Sequence, residues 1–191
     1  MKRLILASAS PRRAQLLKQI NQSFKIVKSD YIEPPLSDEK ELETVALAKA
    51  RSVHKYYPGD LILGADTVVV LGTKILGKPR SEAEALAMLQ ALSGQTHRVL
   101  SGIALLQENQ VLTAKEETRV WMRSFTETEI HAYIATGESV DKAGSYGIQG
   151  QGAVFVERIE GCYFNVVGLP LARLALMFRE MGWPLWQKGG D

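Results

Sequence analysis

The chain has 191 residues, 46% hydrophobic and 23% charged, and its 23 basic and 21 acidic side chains give a formal charge of +2. Those proportions fit one substantial core and exclude a disordered chain, and so small a charge excludes the dense basic stripe of a nucleic-acid-binding surface. A single cysteine, Cys162, excludes an intramolecular disulfide and a cysteine metal cluster, and its setting in "CYFNVV" reads as a buried strand thiol.

The start, "MKRLILASAS", has the charge and small residues of a secretory signal, but its apolar run is only LILA, against the roughly 7–15 residues such a signal needs. The longest apolar stretch, "VVGLPLARLALMF", contains Arg173 and falls short of the ~18 residues of a membrane span. A cytoplasmic protein with no membrane partner is expected.

In chain order, LILA reads as a strand and residues 11–20 as a helix, with Ser10 at the N-cap, Pro11 as the first helical residue and Leu16, Leu17 and Ile20 at helical spacing. Arg12 and Arg13 then occupy the first turn, where the helix dipole disfavours a cation by roughly 0.3–1 kcal/mol each. Such a turn, with Ser8 and Ser10 before it, is built to meet an anion. "SFKIVKS" reads as a second strand, "YIEPPLSDEK" as a loop carrying Glu33, and residues 41–56 as a helix. Lys49 on that helix, among Val45, Leu47, Ala48 and Ala50, reads on local grounds as a snorkelling lysine.

"DLILGADTVVVL" reads as a strand pair or as one strand kinked at Gly64. Asp66 sits between two apolar runs, either as a turn aspartate at a strand end or as a carboxylate placed where α/β folds bind ligands, able to hold a metal or orient a water. "GTKILGK" has the spacing of a phosphate-binding loop. Pro79 follows in place of the hydroxyl residue that would hold Mg²⁺, so the segment reads as a hairpin, with Lys78 still able to face a phosphate. Ser81 and Glu84 read as a capping box for "EAEALAMLQAL".

Beyond Gly94 the pattern turns strand-rich, with "HRVLSGIALLQ" and "QVLTAKEETRVWMR" joined at Glu108-Asn109. Thr126 and Glu129 box the helix "ETEIHAYIATG"; "GAVFVERIEG" and "CYFNVVG" read as a hairpin; and "LPLARLALMFREMG" reads as a last helix closed by Gly182. The strand-then-helix order favours an α/β layered fold, a single domain over residues 1–191 with a lobe boundary near 94. Trp183 and Trp186 in the tail read as capping the core, with a homodimer contact as the alternative.

His54, His97 and His131 are widely spaced and expected on helix or strand surfaces, and with no G-x-S-x-G or H-E-x-x-H neither a serine triad nor a zinc site is credible. The glycine-rich "KAGSYGIQGQG", residues 142–152, lets backbone approach a ligand, and the amide of Gln149 could pair with both N3–H and O4 of a uracil or thymine ring.

In this order "LASASPRR", "GADT", "GKPRS", "LSGQTHRV", "KAGSYGIQG" and "VVGLPL" strongly resemble the Maf family of nucleoside triphosphate pyrophosphatases, from Leu4 to about Met181. The resemblance implies an elongated mixed β-sheet with flanking helices in two lobes around a central cleft, as in inosine triphosphatase-like folds. It also implies hydrolysis of a nucleoside triphosphate to the monophosphate and pyrophosphate with Mg²⁺ or Mn²⁺. By motif position it makes Asp66 the carboxylate that accepts a proton from water, and gives base specificity to Arg12, Thr67 and Gln149. Ser8, Ser10, Arg13, Glu33, Lys49 and Lys78 become the phosphate, metal and water-positioning shell, with Glu33 and Asp66 toward the metal. "SPRR", "GADT" and "GIQG" resemble the branch acting on dTTP and UTP; the alternatives are the branch acting on 7-methyl-GTP and a nucleotide-binding regulator of cell division.

Overall fold

The computed structural model describes residues 2–34 and 38–186, so part of the proline-bearing loop, residues 35–37, lies outside the described residues. The fold is α/β. Its strands are β1 (Leu4–Leu6), β2 (Phe24–Ile26), β3 (Leu61–Leu71), β4 (Lys74–Leu76), β5 (Thr96–Gln107), β6 (Gln110–Met122) and β7 (Val156–Glu160). The helices are α1 (Pro11–Gln19), α2 (Leu42–His54), α3 (Glu82–Leu92), α4 (Glu127–Ala135), α5 (Tyr163–Val167) and α6 (Leu171–Glu180).

The seven strands form one mixed sheet, hydrogen-bonded in the order β2-β1-β3-β5-β6-β7 with β4 on β3. β1 pairs in parallel with β2 and β3, whereas β3–β4 and β6–β7 are antiparallel. The chain divides into two compact units, one of Met1–Asp66, Ser101–Glu116 and Gly168–Asp191, the other of Thr67–Leu100 and Glu117–Val167.

In the first unit, β1 and the first half of β3 are apolar and buried, as parallel strands covered on both faces must be. α2 lies unusually close to the sheet. A methyl group on Gly64 would overlap the Ala46 carbonyl oxygen and stand 3.0 Å from Ala50 N, and one on Gly102 would stand 2.5 Å from the Leu42 carbonyl oxygen. β3 is one continuous strand through Gly64 and not a strand pair. That glycine is where a helix needs room, and Ala50, Val53, Ile5, Ile62 and Leu106 close the core beneath it. At the tail, the Trp183 indole donates to Gln22 Oε1 at 3.0 Å and its ring lies 6.5 Å from that of Phe178, whereas Trp186 is exposed.

In the second unit, α3, α4 and the inner faces of β5, β6 and β7 share a core around Leu89, Leu92, Val120 and Phe155. Gly72, at φ +59°, makes the tight β3–β4 turn, so "GTKILGK" is a hairpin and holds no phosphate loop. Thr126 and Glu129 form a full capping box on α4. Ser81 caps α3, but Glu84 does not reach back to it; the Glu84 carboxylate accepts from Arg80 N at 2.8 Å instead, so only half of that box forms. "CYFNVV" is not a strand: residues 163–167 are α5, β7 pairs with β6, and Cys162 is half-buried where Thr118 Oγ1 donates to its carbonyl. His97 is buried, at 2% exposure, and not a surface residue.

Candidate active site

The site assembles in the first unit because a strand end, a helix face and a helix start meet there. β3 carries Asp66, α2 carries Lys49, and α1 begins at Pro11 with Ser10 at its N-cap. The Lys49 ammonium donates to Asp66 Oδ1 at 2.7 Å, and both residues are 7% exposed. A lysine that merely snorkelled would put its charge in water; this one is turned inward onto a carboxylate, which corrects the local reading of α2.

The same ammonium lies 2.8 Å from Glu33 Oε1, whose side chain is half exposed. The Glu33 loop is fastened to α2 by a 2.8 Å contact between the Ser29 and Ser52 hydroxyls and by a Lys55–Asp30 ion pair of 2.7 Å. Tyr31 N adds a bond to Ser29 Oγ at 3.1 Å, which shapes the chain just before Glu33. Two carboxylates thus converge on one cation, from an irregular loop and from a strand.

Ser10 occupies the N-cap as expected, but its side chain makes no capping bond; its N–H donates to Ser8 Oγ at 3.2 Å, and Ser8 is buried. Arg13 answers why a cation tolerates the first turn of α1. Its guanidinium donates to Ser8 Oγ at 3.1 Å, to the Ala65 carbonyl at 3.0 Å and to the Gly168 carbonyl at 2.9 Å. Arg13 therefore clamps the Ser8 turn to the residue just before Asp66. Burial pushes its guanidinium below the ordinary value, opposed by the nearby Asp66 charge. Arg12 lies beside it, half-buried in the same turn.

Glu33 and Asp66 bring hard carboxylate oxygens to the same ammonium, and Mg²⁺ or Mn²⁺ takes such oxygens when substrate phosphates and water complete its shell. Among the described residues no group of three His, Cys, Asp or Glu side chains could hold a metal ion alone. The two carboxylates fit a cation that arrives with a phosphorylated substrate.

Three of the expected site residues belong to the second unit. Thr67 is half-buried and, as the residue after Asp66 on β3, points to the opposite face of that strand. Lys78 is exposed in the β4–α3 connection, and Gln149 is exposed in a turn. Sequence reasoning passed over Glu138, the acid that holds this turn. Glu138 Oε2 accepts from Gln151 N at 2.8 Å, and Oε1 accepts from Gly152 N at 3.2 Å and from the Tyr133 hydroxyl at 3.0 Å. Burial raises the Glu138 carboxyl, but these donors leave it below its ordinary value. Its only sequence signal is a place just after Gly137, where α4 has ended.

Set against known proteins, residues 3–181 match the family model described as "Maf-like protein". The chain belongs to the Maf family. Among its relatives in that family, a protein from Geobacillus sp. (strain WCH70) named "dTTP/UTP pyrophosphatase" is 52% identical over 96% of this chain and 100% of the relative. Proteins of the same name from Symbiobacterium thermophilum and Gloeobacter violaceus are 45% and 50% identical, covering 99% and 93% of this chain and 99% and 95% of theirs. Among the described residues, no helix of this Maf protein is long and apolar enough to cross a membrane.

Proposed function

We propose that this chain is a nucleoside triphosphate pyrophosphatase that hydrolyses dTTP and UTP to the monophosphate and pyrophosphate. The observation that carries the reading is the buried Asp66 carboxylate, held by Lys49 and standing next to the carbonyl that Arg13 grips. The near-full-length identity to enzymes named for these two substrates supports the pyrimidine choice.

In this reading Asp66 Oδ1 stays on Lys49, and Oδ2 accepts a proton from water. The water oxygen bonds to the α-phosphorus, the bond from that phosphorus to the α–β bridging oxygen breaks, and pyrophosphate leaves with the electron pair. The Ser8–Arg13 turn supplies backbone N–H donors and positive charge to the phosphates. A divalent cation held by Glu33 and Asp66 would neutralise phosphate charge and polarise the phosphoryl oxygens. Lys49 keeps both carboxylates aimed, and positioning accounts for much of the acceleration. Thr67, Lys78 and Gln149 are assigned to the substrate, with Gln149 reading the base by its amide. The cytoplasm, where nucleoside triphosphates are held, is the inferred setting.

The test is pyrophosphate release from dTTP, UTP, CTP, GTP and 7-methyl-GTP, with and without Mg²⁺. The expected result is metal-dependent release strongest with dTTP and UTP. Strongest release from 7-methyl-GTP would contradict the substrate class, and binding without release from any of the five would contradict the reaction.

A further inference from the structure

The turn that presents Gln149 is tied down on both sides while Gln149 itself stays exposed. Before it, Gly147 N donates to the Tyr133 hydroxyl at 3.1 Å, and the Tyr146 hydroxyl lies 2.8 Å from His97 Nε2. After it, Gln151 N and Gly152 N both donate to the Glu138 carboxylate, at 2.8 and 3.2 Å. The Tyr133 hydroxyl then donates to Glu138 Oε1 at 3.0 Å, which closes a network from residue 147 to residue 152 through one carboxylate.

The backbone is wrapped so closely that side chains are excluded. A methyl group on Gly150 would overlap the Glu138 carboxylate, and one on Gly152 would stand 2.8 Å from the Tyr133 hydroxyl. The "GIQGQG" glycines therefore follow from the carboxylate beneath them. A flexible turn would lose entropy on gripping a ligand, whereas a turn already pinned by charge-assisted bonds has little left to lose.

We propose that Glu138, acting with Tyr133, is the positioning residue for Gln149, and that it sets how tightly the base is held. This rests on the reading that Gln149 pairs with the base. A purely structural role would stabilise the second unit and leave KM for UTP alone.

The experiment compares kcat and KM for UTP in the parent chain, Glu138→Ala, Glu138→Gln and Gln149→Ala, alongside amide hydrogen exchange at residues 147–152. In Glu138→Ala KM for UTP is expected to rise about tenfold with kcat little changed, while exchange at Gln151 and Gly152 accelerates. Glu138→Gln keeps one acceptor oxygen but turns an NH₂ group toward the other donor, so it should fall between. It carries the test if the alanine variant does not fold. An unchanged KM in both Glu138 variants, with a raised one in Gln149→Ala, would overturn the positioning role and leave the base-reading role standing. No change in any variant would overturn both.

Discussion

Lys49 reaches Asp66 across 2.7 Å because α2 is allowed to lie almost on the backbone of β3. The pair is buried, and a buried charge left without its partner is more costly than either the pair or a neutral replacement. That asymmetry makes the site's geometry measurable by stability as well as by rate.

Replacing Lys49 with alanine strands Asp66, and the expected loss is about 3–5 kcal/mol, less whatever solvent reaches the gap. The double variant Lys49→Ala with Asp66→Asn should recover part of that loss. Urea unfolding of the two singles and the double gives the coupling directly, and strictly additive losses would count against a paired buried charge.

Gly64→Ala places a methyl group on the Ala46 carbonyl oxygen, and overpacking of this kind costs about 1–3 kcal/mol. Pyrophosphate release should fall as well, because α2 must move and take Lys49 with it. Gly59→Ala, where nothing lies within 4 Å, is the control and should stay within about 0.5 kcal/mol. Equal effects of the two substitutions would remove close helix approach as the reason for Gly64.

Arg13→Lys keeps the charge but cannot bond Ser8 Oγ and the carbonyls of Ala65 and Gly168 together. With the turn loosened, kcat/KM should fall about tenfold to a hundredfold. Rates for dTTP and UTP in this variant check it, and a parent-like value would show that charge alone suffices at this position.

His97 is buried against Tyr146, and burial depresses its ionisation to about 4 from an ordinary 6.5. The folded state therefore resists protonation while the unfolded chain accepts it. Stability conferred by the neutral ring is full above about 6.5 and declines as pH falls toward about 4, by a total on the order of 3 kcal/mol. Urea unfolding at pH 7 and pH 4.5 should show that decline in the parent chain and a flatter profile in His97→Gln. Identical profiles would contradict it.

The start of the site was legible because its signals are local: an apolar strand, a serine, a proline and two arginines lie within ten residues, and β1 and α1 form where they predict. The local pattern makes Lys49 a snorkelling lysine because its partner is 17 positions away in sequence, and the missing side chain at Gly64 lets the two come together. "CYFNVV" failed for another reason. A short run of aromatic and β-branched residues suits strand or helix, and β6 takes its strand partner from residues 156–160 instead. His97 could have been found, since strand alternation puts it on the same face as buried Val99, Ser101 and Ile103. Glu138 had no such signal, because what it holds is the backbone of a loop.

Asp66→Asn tests the central claim most directly, because it keeps the shape of the side chain and removes the oxygen able to take a proton. Pyrophosphate release from UTP should fall by about 10²–10⁴-fold, while the folded state is retained. Release within about threefold of the parent chain would contradict the role given to Asp66.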